Sequence, residues 1–89
     1  MSEETKMKIL VVDDEALSLE IMAEFLSFLN VIVITAHDGN EAFELVKSEN
    51  PDIIISDNVM PGMTGLELCR KIRQIKEYET LIFILTSAL

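Results

Sequence analysis

The chain has 89 residues, a hydrophobic fraction of 49% and 16 acidic against 7 basic residues, for a formal net charge of −9. That length suits one small domain, and that apolar content can build a core, which excludes a disordered chain. The negative field repels phosphate backbones and argues against nucleic-acid binding, no apolar run approaches the ~20 residues of a membrane span, and the polar start Met1-Ser2-Glu3-Glu4-Thr5-Lys6 does not read as a secretory signal. A single cysteine, Cys69, rules out an internal disulfide framework, and the expected setting is cytoplasmic.

After a polar extension over residues 1–7, Lys8 to Val12 is a short β-branched run without alternation, the pattern of a strand buried on both faces. Two aspartates, Asp13 and Asp14, end it. Asp14-Glu15-Ala16-Leu17 reads as a helix start, with Asp14 a possible cap. Leu17, Ile21, Phe25 and Phe28 then recur at helical spacing, widened by Met22, Leu26 and Leu29, and Phe25 and Phe28 are expected to face the core. Asn30 is the expected stop.

Val31 to Thr35 is a second β-branched run, and Ala36 to Asn40 a turn. Asp38 followed by Glu41 resembles a capping box, opening a helix that runs to about Ser48 and buries Ala42, Phe43 and Val46. Asn50-Pro51-Asp52 breaks the chain. Ile53 to Ser56 is a third buried strand, followed by Asp57 and a loop from Asn58 to Gly65. A helix from about Leu66 to Lys76 buries Leu68 or Cys69, with Ile72 and Ile75. Leu81 to Leu85 is a fourth strand, ending at Thr86.

Strands alternating with helices imply a parallel sheet covered on both faces, and right-handed crossovers leave few windings. The order 2-1-3-4 places the first and third strands side by side at the switch point, where ligands of such sheets bind. Asp13, Asp14 and Asp57 then gather at one edge. Like charges so close raise one another's pKa unless a hard cation screens them, and Mg²⁺, with its preference for oxygen ligands and retained waters, fits such a set. A backbone carbonyl near Val59 can add an oxygen. A carboxylate beside Mg²⁺ can attack an activated phosphoryl group and become an acyl phosphate, and the hydroxyl of Thr86 is placed to donate to a phosphoryl oxygen. A lone aspartate after a strand is usually a cap; two after strand one, one after strand three and a threonine after strand four form a far more specific set.

The stretches Ile9 to Glu15, Ala36 to Ala42, Pro51 to Asp57, Asp57-Asn58-Val59-Met60-Pro61-Gly62-Met63-Thr64-Gly65 and Ile84-Leu85-Thr86-Ser87-Ala88 resemble the receiver domain of two-component response regulators. The resemblance runs from about Lys8 to the last residue. It implies a flavodoxin-like α/β receiver fold over residues 1–89, cut after the fourth strand and lacking the fourth helix, fifth strand and fifth helix. It implies that Asp57 accepts a phosphoryl group from a histidine kinase or phosphotransfer protein. Asp14, Asp57 and the Val59 carbonyl would bind Mg²⁺, with Asp13 helping through water or at the edge, and Thr86 would contact the phosphoryl group. It also implies a lysine at the end of a fifth strand, and no lysine follows Lys76 here. The uncapped apolar fourth strand is expected to drive a homodimer or higher oligomer. Two functions compete: a phosphoacceptor signalling module, not an enzyme in the ordinary sense, and an unswitched receiver, or a fragment of one, that dimerises or binds a kinase. Cys69 and His37 read as a buried helix residue and a surface residue. Met60 and Met63 read as loop packing, and Arg70, Lys71, Arg73 and Lys76 as a solvated face.

Overall fold

Four apolar, β-branched runs become parallel strands because each is flanked by a helix able to cover one face of the sheet. A computed structural model describes residues 6–86. Most of the polar lead-in (residues 1–5) and the matched Ser87 and Ala88 lie outside the described residues. The elements in chain order are β1 (Met7–Val12), α1 (Ala16–Ser27), β2 (Val31–Ala36), α2 (Gly39–Glu49), β3 (Ile53–Asp57), α3 (Gly65–Arg73), a single 3₁₀ turn (Lys76–Tyr78) and β4 (Ile82–Thr86). The strands form one parallel sheet in the order β2-β1-β3-β4. This is the expected winding, with β1 and β3 adjacent.

Successive residues of a strand face opposite sides of a sheet, so each strand feeds two cores. Leu10, Val12 and Ile54 join Ala42 and Val46 of α2 and Leu68 and Ile72 of α3. Ile9 and Val11 pack on the other side with Leu19 of α1, bordered by Met22, Leu26, Ile53 and Ile55. Leu10, Ile54, Leu68 and Ile72 are fully buried, each worth roughly 1.5–3 kcal/mol over an exposed side chain. Met60, expected in loop packing, is buried within the first cluster.

Five expectations need correction. The stripe of Leu17, Ile21, Phe25 and Phe28 does not enter the core: all four are exposed, Phe25 at 72% and Phe28 at 81%, and Ile21 and Phe25 line a cleft beside the sheet. Helix α1 is apolar around most of its circumference, so two helical stripes compete, and the sheet takes the one through Leu19, Met22 and Leu26. Asp14 does not cap α1: the cap position is Glu15, without a side-chain cap bond. The helix ends at Ser27, a turn before Asn30. Helix α3 stops at Arg73 rather than Lys76, and the chain continues through the 3₁₀ turn, where the Arg73 guanidinium donates to the Tyr78 carbonyl at 3.0 Å. Within α3, Leu68 is the buried residue and Cys69 is half-buried.

The turn into α2 matches the expected cap in part. Asp38 accepts from Glu41 N at 2.8 Å, but the Glu41 carboxylate reaches His37 N at 2.8 Å and not Asp38. Asn50 closes α2 in the left-handed region at φ 50°, a conformation asparagine tolerates. Two strands are edges among the described residues. On β4, Ile82, Ile84 and Leu85 are 54%, 46% and 42% exposed.

Leu10→Ala and Ile54→Ala are expected to lower the unfolding free energy by about 2–5 kcal/mol, and Phe28→Ser by less than about 0.5 kcal/mol, in chemical denaturation followed by circular dichroism. A loss of several kcal/mol at Phe28 would return the outer stripe of α1 to the core.

Candidate functional site

The carboxyl ends of three neighbouring strands define the site. In the β1–β3 ladder Val12 lies opposite Ser56, which sets Asp13 beside Asp57 one step on. In the β3–β4 ladder Asp57 lies opposite Thr86. The backbone N–H of Asp13 donates to the Ala36 carbonyl at 3.1 Å, tying the end of β1 to β2. Asp14 follows on the exposed side. One carboxylate oxygen from each of Asp13, Asp14 and Asp57 lies within 4.8 Å of the other two. Asp13 and Asp57 are half-buried and Asp14 is exposed.

Hydrogen bonds orient two of these groups. Asp13 Oδ1 accepts from Glu15 N at 3.0 Å, which also opens the chain toward α1. Asp57 Oδ1 accepts from Val59 N at 3.3 Å. Among the described residues, no ion pair involves any of the three acids: the cationic partners Lys8, His37 and Lys47 serve Glu49, Glu41 and Glu44. The pKa of Asp13 lies above the ordinary 3.8, chiefly because burial disfavours its charge; the Glu15 N–H opposes this, and the charges of Asp57, Asp14 and Glu15 add to it. Oxygen donors in excess negative charge, with no protein cation to balance them, fit a hard divalent cation such as Mg²⁺.

A cleft of about 270 Å³ opens beside the acids, lined by Asp13, Asp57 and Thr86 together with apolar side chains of the sheet and of α1, among them Ile55, Ile21 and Phe25. The Thr86 hydroxyl is turned back onto β3, donating to the Ser56 carbonyl at 3.4 Å. The side chain of Val59 is exposed.

Three residues of the site escape the sequence reading: Asn58, Thr64 and Gly65. Thr64 and Glu67 form a full capping box, Glu67 N to Thr64 Oγ1 at 3.0 Å and Thr64 N to Glu67 Oε1 at 2.8 Å. The spacing Thr-x-x-Glu was the available signal. Gly65 lets α3 start against the site: a Cβ there would stand 2.5 Å from the Asp57 carbonyl oxygen and 2.6 Å from Leu85 Cδ2.

Comparison with known proteins agrees with this geometry. A family model, the response regulator receiver domain, matches residues 9–89. The chain is 43% identical over 84 residues to the "Probable transcriptional regulator ycf27" of Guillardia theta, an alignment covering 94% of this chain and 32% of that protein. It therefore spans about a third of that curated relative's length. The chemotaxis response regulator CheY4 of Vibrio cholerae superposes with a TM-score of 0.86 at 33% identity, over 91% of this chain and 68% of that one. A response regulator receiver protein from Pseudomonas putida gives a TM-score of 0.87 at 27% identity, over 96% of this chain and 70% of that one. The chain belongs to the response regulator receiver domain family. Receivers are signalling modules of two-component systems rather than ordinary enzymes, and they exchange signals with histidine kinases or phosphotransfer proteins. No helix among the described residues is long and apolar enough to cross a membrane.

The raised pKa of Asp13 has a signed consequence. Its unfolded carboxyl titrates near 3.8 and its folded one higher, so between those values the folded chain binds more protons. This group's contribution to stability therefore falls as pH rises through that window and stays low above it. In metal-free buffer, the stability of Asp13→Asn relative to wild type is expected to increase from about pH 4 to pH 7, measured by denaturant titration at each pH. A difference that shrinks with rising pH would contradict the assignment.

Proposed function

We propose that this chain is a phosphoacceptor signalling module in which Asp57 takes a phosphoryl group with the aid of Mg²⁺. The observation that carries the reading is the convergence of three carboxylates, without a cationic partner among the described residues, at the strand ends of a receiver fold. Asp14, Asp57 and the backbone carbonyl of Val59 would hold the metal, with Asp13 at the edge of the site or reaching it through water. When bound, Mg²⁺ supplies neutralisation of charge on the phosphoryl oxygens.

The protein's own groups account for the rest. An oxygen of the Asp57 carboxylate attacks phosphorus, forming the acyl phosphate P–O bond. The bond from phosphorus to the donor breaks: the P–N bond of a phosphohistidine, or the P–O bond of a small acyl phosphate. The leaving group departs with the electron pair. Val59 N–H holds the Asp57 oxygen it already contacts, which leaves the other oxygen to attack. The Thr86 hydroxyl, now on the Ser56 carbonyl, can exchange that long contact for a phosphoryl oxygen. A phosphohistidine donor, on a kinase or a phosphotransfer protein, would meet Asp57 in a largely apolar cleft that it lines together with Asp13 and Thr86. The competing reading, an interaction module that is never switched, keeps the acids as ancestral or merely metal-binding groups and gives Asp57 no role in a switch.

The apolar edge of β4 carries a further part of the proposal. Ile82, Ile84 and Leu85 leave an uncharged strand edge. A second copy of the 89-residue chain would cover it, giving a homodimer or a higher oligomer.

Incubation with MgCl₂ and acetyl phosphate is expected to add one phosphoryl group by intact-mass spectrometry, and Asp57→Asn is expected to abolish it. No adduct, under conditions in which an intact receiver responds, would contradict the reading. Sedimentation velocity at micromolar concentration is expected to show a dimer or larger species, and Ile84→Lys a monomer. A stable wild-type monomer would remove the pairing of β4 while leaving the phosphoacceptor reading intact.

A further inference from the structure

Three hydrogen bonds converge on Asn58, the residue between Asp57 and Val59. Its backbone N–H donates to the Thr86 carbonyl at 3.0 Å, and its backbone carbonyl accepts from Gly65 N at 3.0 Å. Its side-chain Oδ1 accepts from Leu66 N at 3.0 Å. A backbone N–H requires an acceptor, so the amide oxygen and not the NH₂ faces α3. The first three N–H groups of α3 have no partner within the helix. Asn58 takes two of them and Thr64 takes the third, Glu67 N.

The consequence lies in the peptide unit that joins Asn58 to Val59. Its oxygen is held by Gly65 N, and its N–H donates to Asp57 Oδ1. That one unit therefore couples the start of α3 to the orientation of the Asp57 carboxylate. Any residue at position 58 could make the two backbone bonds. The third needs a short side chain ending in an acceptor, which limits the choice to asparagine, aspartate and their like.

We propose that Asn58 is a positioning residue for the divalent cation: its side chain clamps the loop to α3 and so holds the Asp57 carboxylate and the Val59 backbone in register with Asp13 and Asp14. The inference rests on the reading of those acids as a Mg²⁺ site. Mg²⁺ demands a near-ideal octahedron, whereas Ca²⁺ accepts a looser and larger set of oxygens. A slack loop therefore penalises Mg²⁺ more than Ca²⁺, and the ratio of the two affinities reports positioning, which a general loss of stability does not shift.

The test is calorimetric titration of the 89-residue chain with MgCl₂ and, separately, CaCl₂. Asn58→Ala is expected to weaken Mg²⁺ binding by on the order of tenfold, and Ca²⁺ binding by a smaller factor. Asn58→Asp keeps an acceptor for Leu66 N and is expected to restore the wild-type ratio of affinities, even though its added charge strengthens both. Circular dichroism checks that the variants are folded, and Asn58→Leu makes the same deletion should alanine fail to fold. An unchanged ratio on deletion, whether both affinities hold or both fall together, overturns the proposal and leaves the metal site standing. A wild-type chain that binds no Mg²⁺ overturns the site and the proposal together.

Discussion

The pairing of β1 with β3 forces negative charge together. Val12 stands opposite Ser56 in a parallel ladder, so the residues that follow reach the same edge of the sheet. Those residues are Asp13, Asp14 and Asp57. Like charges about 4 Å apart repel by roughly 1 kcal/mol in bulk water and about 4 kcal/mol at the effective dielectric of a protein surface. The ladder itself is anchored by Leu10, Ile54 and their neighbours, buried on both faces of the sheet. The apolar core thus has the strength to hold the acids close against their repulsion. No lysine or arginine is paired to them among the described residues, and the proposed Mg²⁺ would offset the repulsion.

The loop after Asp57 is the second half of this arrangement. It leaves β3, crosses the edge of the site and enters α3 without a free helix donor, because Asn58 and the Thr64–Glu67 box satisfy the first turn. Gly65 allows the close approach that these bonds require. The same loop touches β4, since Asn58 N donates to the Thr86 carbonyl. Asp57, the start of α3 and the end of β4 are therefore joined by backbone hydrogen bonds. A change in charge at Asp57 has a direct route to both neighbouring elements.

Much of this was legible in the residues. Unbroken β-branched runs ending in aspartate identify buried parallel strands, and the winding rules bring Asp13 and Asp57 together. Alternation of strand and helix and right-handed crossovers left few windings, and the one that sets the first and third strands at the switch point is the order β2-β1-β3-β4. The buried face of α1 was not legible, because a helix with apolar residues on most sides carries two stripes of equal spacing, and only the sheet selects Leu19, Met22 and Leu26 over Leu17, Ile21, Phe25 and Phe28. The roles of Asn58 and Gly65 were hidden for a different reason. They depend on how closely α3 approaches the loop, a tertiary distance that no periodicity encodes. The Thr64–Glu67 box, by contrast, was written in the chain.

The most direct test of the central claim, that the three carboxylates are held together for a divalent cation, is the melting temperature as a function of MgCl₂ at constant ionic strength. The wild-type chain is expected to gain stability once MgCl₂ exceeds Kd and to keep gaining with the logarithm of its concentration, by roughly 2.7 kcal/mol at a hundredfold excess over Kd. The combined variant Asp13→Asn, Asp14→Asn, Asp57→Asn is expected to melt higher than wild type without metal and to show no such gain. Equal responses of the two proteins, or a wild-type melting temperature indifferent to Mg²⁺, would contradict the account.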